Sequence, residues 1–136
     1  MSYRTSRREN NYRAYPASPE QPIATGAIAV LDEQGRAVPG ATGTGLIAVG
    51  IVERSTPLSD DTVKVRRGCF LVNNSAGADE LTHTHIGHRC YLVDDHTVAA
   101  TDGADTRSPA GIVDGIDENG GVWVLIDPTS GVYATA

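Results

Sequence analysis

Three histidines and a cysteine lie close together in the middle of the chain, at His83, His85, His88 and Cys90. On a β-strand alternate side chains project from one face, so His83 and His85 could share a zinc ion. Zinc needs further ligands, for which His88, Cys90, His96 or a carboxylate are available. Gly87 interrupts the run, and the chain has no second pair of recognisable ligand spacing. The sequence therefore favours a solvated turn that carries histidines, and it predicts no bound metal and no other cofactor.

No other pattern in the chain predicts catalysis. A hydrolase serine of the common type needs a Gly-x-Ser-x-Gly turn, which the sequence lacks. The pairs Asp60-Asp61 and Asp94-Asp95 would diverge on a strand and are typical of turns. The glycine-rich residues 40–45 are not followed by the Lys-Ser/Thr of a phosphate-binding loop. We therefore predict no enzyme and no catalytic residue; the alternative is a small metal-binding or enzymatic β-barrel that uses the three histidines.

Length and composition predict one domain built from short strands. The chain has 136 residues, of which 40% are hydrophobic and only 5% aromatic, so the core must be aliphatic. Its 15 glycines and 7 prolines fit tight turns between strands. No apolar run approaches the roughly 18–20 residues that cross a membrane, and the arginine-rich start is unlike a secretory signal. We expect synthesis in a cytoplasm, where Cys69 and Cys90 would stay reduced.

The charge is unevenly distributed along the chain. Residues 1–15 carry four arginines and one glutamate, a net charge of 4 − 1 = +3, and the rest carries 7 − 16 = −9. Residues 1–22 have almost no aliphatic content, which predicts an extended N-terminal arm ahead of a single β domain at 23–136. Tyrosine and arginine are enriched in protein interfaces. The candidate interface residues are Tyr3, Arg4, Arg7, Arg8, Tyr12, Arg13 and Tyr15.

Residues 26–67 and 87–127 look like two copies of one strand–turn–strand unit. In each copy a glycine precedes an apolar strand, a second glycine follows 24 positions later, and an alternating strand ends the unit. The matching positions are Gly26 and Gly87, Gly50 and Gly111, and Val63-Lys64-Val65 and Val122-Trp123-Val124. Only residues 75–86 suggest a helical turn. We predict a mostly β protein, a small β-barrel or β-sandwich with an internal pseudo-repeat, whose halves pack as related hairpin layers of one barrel.

Six segments, mostly in the second half of the chain, form a recognisable series. They are VKVRRGCF at 63–70, NSA at 74–76, IG at 86–87, CYLVDDHTV at 90–98, AGIV at 110–113 and GVWV at 121–124. In this series the chain resembles the head decoration, or cement, proteins of tailed bacteriophages and prophages. The resemblance covers residues 26–127.

The resemblance implies a structural virion protein that is made in the host cytoplasm and binds the outer surface of a capsid. Such a protein clips neighbouring major capsid subunits together, and the N-terminal arm would be one contact. The implied partners are the major capsid protein and other copies of this chain, as a homotrimer or alternatively a homodimer. No membrane partner is expected, and the acidic body makes direct nucleic-acid binding unexpected. Another virion role, in head completion or in the tail, is the remaining alternative.

Overall fold

The computed structural model describes residues 2–4, 11–53 and 62–129, and its main elements are ten β-strands. The strands are β1 Tyr12–Pro16, β2 Ile28–Leu31, β3 Ala37–Pro39, β4 Ile47–Val52, β5 Thr62–Arg66, β6 Gly68–Val72, β7 Arg89–Leu92, β8 Val98–Ala99, β9 Pro109–Ile116 and β10 Val122–Ile126. Two short 3-10 turns, Gly77–Asp79 and His83–His85, fall in the stretch predicted to hold a helical turn. The predicted mostly β class is confirmed.

The strands form two five-stranded antiparallel sheets, in the orders β1-β5-β4-β2-β3 and β6-β10-β9-β7-β8. Neither sheet closes into a barrel, so the β-sandwich is the predicted architecture that the structure matches, and the expectation of one barrel is wrong. The physical reason lies at the sheet edges, where pairing is minimal. Among the described residues, only an isolated parallel bridge links the two edges of each sheet. In the first sheet it joins Ala17, after β1, to Ala37 of β3, and in the second it joins Asn73, after β6, to Thr97, before β8.

The two strand orders are the same once five is added to each strand number. We therefore call β1–β5 the first unit and β6–β10 the second unit. Gly26 N donates to Val52 O at 2.8 Å, and Gly87 N donates to Val113 O at 2.8 Å, a constant shift of 61 positions (87 − 26 and 113 − 52). Both glycines have a φ of 87°, which favours glycine. The predicted pseudo-repeat is thus confirmed in topology and in local geometry.

A second pair of glycines serves a close approach of strands in both units. A Cβ atom at Gly50 would collide with the carbonyl oxygen of Arg66, and one at Gly111 would collide with the carbonyl oxygen of Leu125. In each unit this glycine sits near a register shift between the strands that correspond to β2 and β4. The equal spacing of the glycines in the sequence therefore reflects one backbone requirement that occurs twice.

The first strand begins inside the stretch predicted to be an arm. β1 pairs along its whole length with β5, from Tyr12 opposite Arg66 to Pro16 opposite Thr62. Backbone pairing at a sheet edge needs no aliphatic side chains, so the polar composition of residues 1–22 did not reveal it. The structure thus places part of the predicted arm within the first unit, as the counterpart of β6 in the second.

Each unit has its own apolar interior. The first interior contains Ile23, Ala27, Ala29, Ala37, Val49, Val52, Val63 and Val65. The second contains Val72, Leu81, Cys90, Leu92, Val98, Ala110, Val113, Val122, Val124 and Ile126. Four first-unit residues belong to this second cluster, namely Ile28, Val30, Val38 and Ala48. Because they alternate with first-interior residues along their strands, they lie on the opposite side of the first sheet, and that side packs against the second unit.

Candidate binding surfaces

The outer side of the second sheet carries a group of exposed apolar side chains. Along β10, Val122, Val124 and Ile126 point inward, so Trp123 and Leu125 point outward. Trp123 lies opposite Leu71 of β6, and both side chains are 40% exposed. We call this surface the tryptophan face; it consists of Cys69, Leu71, Ile112, Trp123 and Leu125.

Two glycines leave the tryptophan face flat. Gly115 lies opposite Trp123 on β9, and a Cβ there would be 3.8 Å from Trp123 Cδ1. A Cβ at Gly121 would be 3.0 Å from Leu71 Cδ1. Since neither position carries a side chain, the indole and the leucine are accessible from the side as well as from above. A flat apolar surface of this kind suits contact with another protein.

The cysteine of the tryptophan face, Cys69, lies beside an acidic residue and is an unreactive thiol. The Sγ of Cys69 lies 3.5 Å from the carboxylate of Asp114. Partial burial, and then the hydrogen bond and negative charge of Asp114, raise the pKa of Cys69 to about 11. Burial raises the pKa of Cys90 to about 12. Both cysteines are free thiols, and at neutral pH neither is a nucleophilic thiolate.

On β1 and β5 the equivalent side of the first sheet is charged instead of apolar. The Nζ of Lys64 lies 4.5 Å from the centre of the Tyr12 ring, and the guanidinium carbon of Arg66 lies 5.5 Å from it. Arg66 also lies 3.5 Å from the carboxylate of Glu53. We call this surface the tyrosine face; it consists of Tyr12, Ala14, Lys64 and Arg66.

Two other residues of the predicted interface have a place within the fold. Tyr15 packs against the first interior, and its hydroxyl accepts a hydrogen bond from Arg67 at 3.3 Å. Arg67 in turn lies 3.6 Å from Asp127, just after β10. Arg13 donates to the carbonyl oxygen of Tyr12 at 2.7 Å. This arginine–tyrosine–aspartate contact ties the start of the first unit to the end of the second.

The carboxyl group of Asp127 is held in its charged form. Desolvation works against ionisation, but hydrogen bonds from Thr129 and the charges of Arg67 and Arg13 outweigh it, so the pKa of Asp127 lies below its ordinary value of 3.8.

The remaining residues predicted for the interface lie at the start of the chain. Tyr3 is 84% exposed and Arg4 is also exposed. Arg7 and Arg8 lie outside the described residues.

His83 and His85 lie in a 3-10 turn and not on a strand, and His88 follows shortly after this turn. The backbone N–H of Thr82 donates to Nδ1 of His85 at 2.9 Å, which closes the turn around residues 82–85. His83 and His88 are exposed, as the interpretation of a solvated turn expects. Within residues 2–4, 11–53 and 62–129, no three His, Cys, Asp or Glu side chains are grouped so that they could hold a metal ion.

The tryptophan face was not predicted from the sequence, although the apolar runs of β6 and β10 mark it. Every residue of β10 is apolar, and so are the last four residues of β6. A strand that is apolar on both sides is expected where both sides are buried. Here one side is exposed, and only the structure reveals which one. The alternation of Thr62–Arg66, in contrast, predicted the charged outer side of the first unit correctly.

No helix among the described residues is long and apolar enough to cross a membrane. Comparison of the chain with protein-family models, with curated proteins and with solved structures finds no match.

Proposed function

We propose that the protein is a structural virion protein that binds the outer surface of a phage capsid. It stabilises the shell by clipping neighbouring major capsid subunits together. The observation that best supports this role is the tryptophan face, in which Trp123 and Leu71 are each 40% exposed on a flat sheet. An exposed apolar surface on a rigid sheet costs solvation free energy unless a partner covers it. Tryptophan is also the residue type that most often dominates the binding energy of an interface.

The chemistry of this surface favours binding over catalysis. The tryptophan face consists of apolar side chains and a thiol whose pKa is about 11, so it offers no general acid or base at neutral pH. Its nearest carboxylate, Asp114, is exposed to solvent. Such a surface can exclude water from a protein contact, which is what a clip between subunits requires.

The start of the chain supplies a second contact to the capsid. Tyr3 and Arg4 are exposed, and the ten residues ahead of Asn11 could span roughly 33–36 Å if extended. That reach would let one copy contact a subunit beside the one that its tryptophan face covers. Because many copies bind one closed shell, and because we expect the copies to associate as homotrimers, weak single contacts would add up to stable attachment.

The proposal is tested with capsids assembled from the major capsid protein of the phage or prophage whose genome carries this chain. Trp123→Thr removes the indole and keeps a residue that suits a strand, and Lys64→Thr is the matched control at the equivalent position of the first unit. We expect the first variant to bind capsids about 30-fold more weakly than the unaltered protein, and the control to bind normally. Binding is measured by co-sedimentation with capsids.

Two outcomes would contradict the proposal. If the unaltered protein does not sediment with the capsids at any ratio, capsid decoration is wrong. If Trp123→Thr and Lys64→Thr bind equally well, the tryptophan face is not the contact. A deletion of residues 2–10 tests the arm separately, because β1 and its pairing with β5 remain intact. Unchanged capsid occupancy and heat resistance after this deletion would remove the arm from the proposal.

A further inference from the structure

The two units of one chain are joined by a turn of the second unit that docks on the first. This turn, residues 93–95, connects β7 to β8. The backbone N–H of Ile28 donates to the carbonyl oxygen of Asp95 at 2.7 Å. A Cβ atom at Gly40 would lie 3.2 Å from the carbonyl oxygen of Asp94, so the glycine makes room for the turn. The turn therefore extends the hydrogen bonding of β2 where β3 has ended.

Further hydrogen bonds join the same two surfaces, which differ between the first unit and the second. Thr42 Oγ1 donates to the carbonyl oxygen of Val93 at 2.7 Å. Ser108 Oγ donates to the carbonyl oxygen of Gly43 at 2.7 Å and accepts from Leu46 N at 3.0 Å. The first unit thus contributes residues 28–46 and the second its β7–β8 turn and the start of β9. A contact between two different surfaces is heterologous, and such a contact can repeat from one molecule to the next.

The second unit has an open cleft where the first unit receives the turn. The cleft has a volume of about 380 Å³ and is lined by Thr84, His85, His88, Arg89, Tyr91 and Ala100. β7 corresponds to β2 in the repeat, with Arg89 at the position of Ile28 and Tyr91 at the position of Val30. In the first unit the turn at residues 93–95 covers this region beside β2. Among the residues that the structure describes, no turn covers the equivalent region beside β7 in the second unit.

The lining of the cleft suits a negatively charged turn. Nδ1 of His85 accepts from Thr82 N, so the neutral ring carries its proton on Nε2 and can donate from there. Arg89 adds a guanidinium group, and His88, Thr84 and Tyr91 add further donors. None of the lining residues is acidic. An acidic β-turn would find both charge complementarity and hydrogen-bond donors there.

The chain itself contains such a turn at the equivalent position of the first unit. The β2–β3 turn, residues 32–35, reads Asp-Glu-Gln-Gly and corresponds to residues 93–96. Its shape is set locally, because the carboxylate of Asp32 accepts from the backbone N–H groups of Gln34 and Arg36 at 2.9 and 3.0 Å. Glu33 and Gln34 at its tip are exposed. The turn is therefore preformed and accessible to another molecule.

We infer that the cleft of the second unit binds the turn at residues 32–35 of a second copy. Copies of the chain then associate head to tail, and the contact between chains repeats the contact that joins the two units within a chain. Closed on itself, this arrangement is a ring in which first and second units alternate, and the proposed homotrimer is one such ring. The inference rests on the self-association included in the proposed function and names the surfaces that would perform it.

The contact between chains must differ in one detail from the contact within a chain. Thr101 stands at the position of Gly40, and its hydroxyl donates to Asp79 at 2.5 Å. A docked turn cannot approach the backbone at Thr101 as closely as Asp95 approaches Gly40. Side-chain contacts of Glu33 with the imidazole and guanidinium groups would therefore carry more of the binding than backbone hydrogen bonds do.

A charge exchange tests the contact, with association measured by sedimentation equilibrium of the full chain. Glu33→Lys reverses the charge at the tip of the turn, and His88→Glu places a carboxylate in the cleft. We expect each single variant to associate at least about tenfold more weakly, and the double variant to recover most of the loss. Arg89→Glu serves as a second cleft variant. Glu118→Lys makes the same change as Glu33→Lys in the exposed β9–β10 turn and should leave association unchanged.

The outcomes separate this inference from the capsid proposal. A monomer at every concentration, or single variants that associate as well as the unaltered protein, would overturn the inference. So would equal weakening by Glu118→Lys, since any acidic turn would then act alike. Capsid co-sedimentation is measured on the same variants. Capsid binding by a protein that fails to self-associate through these surfaces refutes the inference alone, and association without capsid binding refutes the capsid proposal alone.

Discussion

The tryptophan face and the tyrosine face occupy the same position in two units of the same topology, yet they differ in chemistry. On the second unit, Trp123 and Leu71 are exposed beside glycines. On the first, Lys64 and Arg66 lie over the ring of Tyr12. The charged side chains of the tyrosine face already have partners within the chain. The apolar side chains of the tryptophan face are stabilised by burial only when another molecule covers them.

The inward positions of the same strands barely differ. Val63 and Val65 fill the first interior, and Val122 and Val124 fill the second at matching positions. Close packing restricts what fits inside a unit, but an outward residue of a strand is free to vary without changing the sheet. The inward residues of the strands therefore specify the duplicated fold, and the outward residues specify the difference in binding between the two faces.

The largest effect should come from the glycines that both units need. Gly50→Ala and Gly111→Ala each place a methyl group against a backbone carbonyl oxygen. We expect each to lower the free energy of unfolding by about 3 kcal/mol or more, because neither carbonyl can move without breaking its strand. Chemical denaturation measures this. Gly43→Ala is the control, since its Cβ would meet only the Leu46 side chain at 3.5 Å. A small loss at Gly111 alone would show that the units are not built alike.

Exchanging the two central outward residues should separate position from residue type. The double variant Trp123→Lys, Lys64→Trp keeps the composition and moves the indole to the first unit. We expect the free energy of capsid binding to weaken by about 2 kcal/mol, because the flat surface formed by Leu71 and the glycines remains on the second unit. Capsid co-sedimentation measures the change. Undiminished binding would mean that an exposed indole suffices on either face.

The connections that follow β1 and β6 differ as well, and Asn74 anchors the second one. Its side chain donates to Leu81 O at 2.9 Å and to Gly120 O at 3.1 Å, and it accepts from Ser75 N and Leu81 N. We expect Asn74→Ala to lower the free energy of unfolding by about 1–3 kcal/mol, since these backbone groups would lose their partner. Asn119→Ala in the exposed β9–β10 turn is the control. Equal losses in the two variants would contradict this role.

The joint between the units should make stability depend on pH. The pKa of Asp127 is lowered in the folded protein, so its contribution is present above the ordinary value of 3.8 and is lost as the pH falls through the folded pKa. We therefore expect Asp127→Asn to be less stable than the unaltered protein at pH 7, and the difference to shrink toward about pH 3. Urea denaturation across this pH range measures it. A difference that is constant with pH would contradict the ionised contact with Arg67.

The smallest effect concerns the tyrosine face alone. Lys64→Ala removes the ammonium group 4.5 Å from the Tyr12 ring. Because Lys64 is exposed, we expect a loss of only about 0.5–1 kcal/mol in the free energy of unfolding and no change in capsid binding. Thermal unfolding and co-sedimentation measure the two quantities. Weaker capsid binding by this variant would place the charged face in the contact and reverse the comparison.

Several elements were predictable because their signals are local. The alternation at Thr62–Arg66 predicted a strand with a charged outer side. The equal spacing from Gly26 to Gly50 and from Gly87 to Gly111 predicted the repeat. β1 was not predictable in this way, because its pairing partner β5 lies about fifty residues further along the chain and the pairing is made by the backbone.

The sequence by itself determined that the protein is mostly β, that its two halves are related, and that its inward positions are aliphatic. These properties follow from the period of the side chains and from glycines at positions that only glycine can occupy. Only the tertiary structure decided that the sheets stay open, that β1 belongs to the first unit, and that Trp123 is exposed. Each of these depends on which surfaces of distant strands meet, and an apolar run such as Val122–Ile126 has the same sequence whether one side of it or both are covered.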